Sequence, residues 1–208
     1  NVMKSFLYLL FLLPTFAISQ QTLNKTITHN GATREYIIHV PNSYDGNSDV
    51  PLLLCFHGYT SSANTIMNYS GFNSISGQYN FIVAYPQGEI LDGVTHWNVG
   101  GWTQASTFDD VDFTDKLLDT IMKDYTIDAS KVYSTGMSNG GYMSFLLACQ
   151  LSDRIAAITS VTGSMTPETY DACNPTHPVP VLQIHGTSDG TVPYNGSSSW
   201  TKSINAVL

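Results

Sequence analysis

Five short strand-like runs, set between polar and amphipathic stretches, most narrow what this chain can fold into. They are VPLLLCF (50–56), FIVAY (81–85), KVYSTG (131–136), IAAITSV (155–161) and VPVLQIHG (179–186). The first two are continuous apolar runs, the mark of strands buried on both faces. Helical material falls between the runs, around residues 65–79 and 140–151. In a third stretch Phe113, Leu117, Leu118, Ile121 and Met122 repeat at helical spacing behind Asp112, the expected cap. Near the N-terminus, Asn30-Gly31 divides two β-rich runs over 26–40, a short-hairpin signal. Strands alternating with helices predict an α/β fold, a mostly parallel sheet led by an antiparallel hairpin with helices on both faces. A Gly- and Trp-rich loop over 86–110 interrupts the alternation, and no repeat or linker divides the chain.

With 208 residues, 42% apolar and 12% charged, the chain has the makings of one domain with a real core. A formal charge of −8, with eight Lys and Arg scattered and no basic patch, argues against a nucleic-acid partner. Met3 and Lys4 precede the apolar run FLYLLFLL (6–13), Pro14 and a small-residue exit at Ala17-Ile18-Ser19. That order predicts a signal peptide over 1–19, a catalytic domain over 20–208 and a secreted, extracellular or periplasmic protein. The run is too short to span a bilayer, so stable membrane insertion is not expected. Asn1-Val2 stands before the first Met and the chain stops within helical sequence at Val207-Leu208, which suggests a fragment incomplete at its C-terminus.

The chemistry centres on YSTGMSNGGYM (133–143), where Gly136 and Gly140 flank Ser138 at a distance of two. By itself a G-x-S-x-G is weak, and a serine in a tight turn is the plainer reading. Between a strand and a helix it is stronger, because the sharp turn lifts the hydroxyl from the sheet toward the helix N-terminus. Ser138 is therefore the candidate nucleophile. The N–H of Asn139 and that of Tyr59, in the loop CFHGYTSS after an earlier strand, are candidate oxyanion donors. Asp189, in the turn GTSDGTVPY after the last strand run, is the candidate acid, against the plainer role of a turn residue before Gly190. In sheets of this kind the order is serine, acid, histidine. All six histidines, at 29, 39, 57, 96, 177 and 185, precede Asp189, so the base is expected beyond residue 208 and this fragment is expected to be inactive. His57 and His185 read as structural, and His96 lies in the long loop with nothing to orient it. Trp97 and Trp102 either wall a substrate site or pin their loop. No Cys/His cluster has metal-ligand spacing, so neither metal nor cofactor is expected. Cys55 is expected to be a buried free thiol. Cys149 and Cys173 can pair in an exported protein, although the odd total leaves a partner for Cys173 beyond residue 208 open.

Taken in order, CFHGYTSSA (55–63), AYPQG (84–88), HWNVGGW (96–102), DDVDF (109–113), DASKVYSTGMSNGGYMS (128–144) and PVLQIHGTSDGTVPYNG (180–196) resemble the polyhydroxybutyrate depolymerase and feruloyl esterase group of secreted α/β-hydrolases. The resemblance implies the α/β-hydrolase fold and an ester substrate, small or polymeric. Ser138 would be the nucleophile and Asp189 the acid, and Asp109, Asp110 and Asp112 would be structural, capping a helix. It also implies a Gly-Gly-His-type segment for the base, which residues 1–208 lack, and Trp-loop cysteines where Gly101-Trp102 stand here. A serine peptidase of the same fold, a polysaccharide acetyl esterase and a non-catalytic binding domain remain the alternatives.

Overall fold

The computed structural model describes residues 20–208, so the expected signal peptide lies outside the described residues. Strands β1 (Gln21–His29) and β2 (Ala32–Val40) form the expected hairpin across Asn30-Gly31, and both turn residues take positive φ. Then come β3 (Val50–Phe56), β4 (Ile82–Pro86), β7 (Ile127–Met137), β8 (Ala157–Val161) and β9 (Val181–Ile184). In space the order is β1-β2-β4-β3-β7-β8-β9, antiparallel through β1, β2 and β4 and parallel from β4 to β9.

Period-two side-chain alternation gives the central strands two different apolar faces. Leu52, Leu54 and Phe56 of β3 point to one side, where Phe113, Leu117 and Leu118 of α3 (Asp110–Asp124) and Phe145 of α4 (Asn139–Gln150) close the larger core. Cys55, Val83 and Tyr85 point to the other, under Ala63 and Ile66 of α1 (Ala63–Ser70). Nearer the β9 edge, a cavity of about 510 Å³ opens along the sheet, lined by Leu53, Tyr133, Ala157, Thr159 and Leu182 among others. On β9 itself Leu182 and Ile184 are 58% and 53% exposed.

Several local expectations need correction. The helical stretch at 65–79 is two helices, α1 and α2 (Phe72–Tyr79), because Gly71 takes φ +71° between them. Asp109, not Asp112, caps α3: its carboxylate accepts from the Asp112 N–H at 2.9 Å, while Asp112 pairs with His29. The long loop carries a small hairpin, β5 (Glu89–Leu91) with β6 (Val94–His96), and a single 3-10 turn at Gly101–Thr103. Two short helices lack a strong sequence signal. In α5 (Pro167–Ala172) Thr166 caps and Pro167 fits the first turn; α6 (Ile204–Val207) has a single turn. Cys149 at the end of α4 bonds Cys173 at the end of α5, and Cys55 is a buried free thiol pushed up to about 12 by desolvation.

Backbones come into close contact where β7 meets α4. A methyl on Gly140 would stand 2.2 Å from the Phe56 carbonyl oxygen and 2.8 Å from that of His57, and one on Gly136 would stand 2.4 Å from Gly140 itself. Backbone on both sides leaves nothing able to yield. Gly140→Ala is therefore expected to cost roughly 3 kcal/mol or more, lowering the melting temperature by about 6–12 °C for a chain of this size. Gly190→Ala, where an added methyl meets nothing within 4 Å, should leave the melt unchanged.

Candidate active site

β7 ends at Met137 and α4 begins at Asn139, leaving Ser138 alone to make the turn, at φ 53°, ψ −118°. A non-glycine residue in that region carries about 1–3 kcal/mol of strain. The surroundings hold it there. Its N–H donates to the Val161 carbonyl at 2.8 Å, and its carbonyl accepts from Gly141 and Tyr142 at 2.8 and 3.0 Å. The hydroxyl makes no capping bond to its own helix. The His57-Gly58-Tyr59 loop lies against the turn, for a methyl on Gly58 would be 3.7 Å from Ser138 Cβ. Thus both candidate donors, the Tyr59 and Asn139 amides, belong to segments adjoining the serine. The Asn139 amide also lies in the first turn of α4, where N–H groups have no intrahelical partner.

Asp189 lies in the turn after β9, two strands from β7. Its Oδ1 accepts from the Thr191 and Val192 amides at 2.8 and 2.9 Å. Those bonds, Val192 first, hold its carboxyl below the usual carboxylate range, and the turn thus keeps an ionised, oriented side chain. Burial is the main cause that pushes the Tyr142 phenol up to about 12, and the Asp189 charge adds to it.

The histidines hold other posts. The Gly88 N–H donates to His57 Nε2 at 2.9 Å, so Nδ1 carries the proton and bonds the Gly58 carbonyl at 2.8 Å. Desolvation is the main cause that pushes this ring down to about 4. His185 bonds the Val192 carbonyl through Nε2 at 2.8 Å and lies beside Gln183 Nε2 through Nδ1 at 3.0 Å; Asp189 Oδ2 is 3.7 Å from its Nε2. His96 is fully buried, with Nδ1 on the Glu89 carbonyl. His29 bonds Asp112 and His39 bonds Thr22, both on the hairpin, while His177 is exposed before β9.

The two tryptophans part company. Trp102 is 37% exposed and packs edge-on between Tyr59, itself 41% exposed, and Tyr142, at centroid distances of 5.5 and 5.8 Å. Trp97, expected beside it in a substrate wall, is fully buried and cannot touch a substrate. Its ring is edge-on to Phe56 at 5.0 Å, because its indole N–H finds a buried acceptor in the His57 carbonyl at 2.9 Å. Sequence reasoning also missed a buried support: Arg34 pairs with Asp110 at 2.7 Å and Glu89 at 2.9 Å and lies over the Phe113 ring. An arginine in a strand facing acids in DDVDF was the available signal. Asp110, expected only to cap, instead receives Arg34 on one oxygen and the Asn98 N–H on the other. Among the described residues no group of His, Cys, Asp and Glu is arranged to hold a metal ion, and no helix is long and apolar enough to cross a membrane.

A strained serine between strand and helix, with an ionised aspartate two strands away, is a recurrent hydrolase arrangement. The phospholipase/carboxylesterase family matches residues 39–208. The chain belongs to that family. It is 33% identical over 168 residues to feruloyl esterase B of Piromyces equi, covering 80% of this chain and 31% of that protein. It is 28% identical over 182 residues to a bifunctional acetylxylan esterase/xylanase of Neocallimastix patriciarum, covering 88% of this chain and 25% of that one. The crystal structure of a thermostable esterase superposes with a TM-score of 0.66 at 18% identity, over 84% of this chain and 48% of the other, and so shares the α/β-hydrolase fold. The chain spans 25% to 62% of the length of the first curated relatives it matches.

In this carboxylesterase-family chain the buried His57 makes stability depend on pH. Its native value near 4 lies below the ordinary 6.5, so unfolded chains bind more protons between those values. Stability is full above about pH 6.5 and falls as pH drops toward 4, by on the order of 3 kcal/mol. Burial lowers His39 too, adding to the same slope. Urea unfolding at pH 7 and pH 4.5 should show the loss, and His57→Gln should flatten it.

Proposed function

We propose that this chain is the catalytic part of a secreted serine carboxylic-ester hydrolase acting on acyl esters of plant polysaccharide. The observation that carries the reading is Ser138 held at positive φ between β7 and α4, with the Tyr59 loop packed against it. Membership of the phospholipase/carboxylesterase family supports it, as does likeness to a feruloyl esterase and an acetylxylan esterase/xylanase. The exposed Trp102–Tyr59 pair offers a shelf beside the serine for a feruloyl ring or a polymer chain.

Ser138 Oγ bonds to the ester carbonyl carbon and its proton passes to a histidine. The carbonyl π pair moves onto oxygen, which the Tyr59 and Asn139 amides receive. Collapse breaks the bond to the alcohol oxygen, which takes the proton and leaves, and water then cleaves the acyl-enzyme. Asp189 orients the imidazole. Within residues 1–208 each histidine is engaged elsewhere or lies away from the pair, so the base comes from outside them. The 208 residues alone then retain only residual turnover.

A fluorophosphonate should label Ser138 in the full-length protein, and Ser138→Ala should abolish labelling. In that protein Ser138→Ala is expected to lower kcat about 10⁶-fold and Asp189→Asn roughly 10⁴-fold. Methyl ferulate, acetylated xylan and hydroxybutyrate oligomers, assayed side by side with a peptide anilide, rank the acyl group. Turnover of the anilide alone would mean a peptidase. Absence of both labelling and turnover would mean a binding domain.

A further inference from the structure

Trp97 contacts both segments of the machinery proposed to hold the oxyanion, yet no substrate can reach it. Its indole N–H donates to the carbonyl of His57, the residue two before Tyr59, at 2.9 Å. Its backbone N–H donates to Asn139 Oδ1 at 2.7 Å, and its carbonyl accepts from Asn139 Nδ2 at 3.1 Å. Trp97, His57 and Asn139 are all fully buried. One residue thus ties together the two segments that present the Tyr59 and Asn139 amides.

The strap is itself held at both ends. On one side the Asn98 N–H donates to Asp110 Oδ2 at 2.7 Å, while Arg34 pairs with Oδ1, and Asn98 Nδ2 donates to the Phe108 carbonyl at 2.8 Å. On the other, the His57 ring accepts from the Gly88 amide and lies against the Trp97 ring with centroids 4.9 Å apart. Hydrogen bonds buried in this way are stiff, since breaking one leaves a polar group with neither protein nor water as partner.

We propose that Trp97 is a positioning residue for ester hydrolysis, fixing the Tyr59 and Asn139 amides at the separation a tetrahedral oxyanion requires. This rests on the hydrolase reading given above and adds to it a residue outside the reacting set. The amides stabilise charge only where they point, and a misplacement of about 1 Å can cost on the order of 100-fold. Ground-state binding of the ester does not use the oxyanion position, so the effect should fall on kcat and leave KM.

The test uses the full-length enzyme with methyl ferulate or another turned-over ester, and an arylboronic acid as a tetrahedral mimic. Trp97→Phe keeps the buried ring and removes the indole N–H; Asn139→Ala keeps the backbone amide and removes both contacts to residue 97. Each should lower kcat roughly 10–100-fold with KM changed less than about two-fold, and raise the boronate Ki by the same factor as kcat/KM falls. In the double variant the loss should be smaller than the product of the single losses, because one strap is broken twice. If Trp97→Phe does not fold, Asn139→Ala carries the same readouts. Unchanged kcat and boronate Ki in a folded variant would overturn the proposal, as would a change in KM alone or strictly multiplicative losses. A wild-type protein that neither turns over esters nor labels at Ser138 would instead remove the hydrolase reading itself, and the strap's role with it.

Discussion

At the turn from β7 into α4 two backbones touch. The helix comes so near β3 that Gly140 has no room for a methyl against the Phe56 carbonyl. The approach continues on the other side, where an added methyl on Gly141 would meet the Ser160 hydroxyl at 2.6 Å and the Gly163 backbone at 3.0 Å. A helix seated this deeply between β3 and β8 cannot start anywhere but at the end of β7, and the chain has one residue in which to reverse direction. That residue is Ser138. The strain at φ 53° is thus imposed by the sheet, held by bonds to Val161, Gly141 and Tyr142, and offset by the large core beneath α4. The same contact brings the His57–Tyr59 loop to the helix N-terminus, because that loop starts directly after Phe56, the last residue of β3.

This explains why the turn that carries Ser138 was legible from the residues alone. A strand and a helix separated by one serine, with glycines two residues to either side, state the close packing in the composition itself. The hairpin at Asn30-Gly31 and the buried strands 50–56 and 82–86 were legible for similar reasons, since turn chemistry and continuous apolar runs are local signals. What escaped depended on partners distant in sequence. Asp112 looked like the cap of α3 because it directly precedes the apolar pattern, but Asp109 has the geometry, and His29 from β1, 83 residues away, claims Asp112. The break between α1 and α2 rests on a single residue, Gly71, at positive φ. Trp97 and Trp102 belong to one loop, and no periodicity tells which faces inward. Only the His57 carbonyl, 40 residues upstream, decides that the indole N–H of Trp97 is needed inside.

Arg34, Asp110 and Glu89 show the same dependence on distance in its most costly form. Arg34 and Asp110 bury their side chains at 1% and 0% exposure. Removing two charges from water costs several kcal/mol each, and their attraction only about repays it, so such a pair contributes little net stability. Its value lies in direction. Asp110 has two oxygens and uses both, one on the hairpin's arginine and one on the Asn98 amide, while the Phe113 ring 3.7 Å from the guanidinium carbon shares the burden of desolvation. Apolar residues of equal volume would fill the space but would accept no N–H. The segment 97–98 would then lose its fixed height above the sheet. A loop of 23 residues between β4 and α3, with only a small hairpin and one 3-10 turn inside it, has few other anchors. The charge pair buried between β2 and α3 is thus joined to the serine's neighbourhood by a chain of short contacts, Arg34 to Asp110 to Asn98 and on through Trp97 to Asn139, each link a hydrogen bond or a peptide bond.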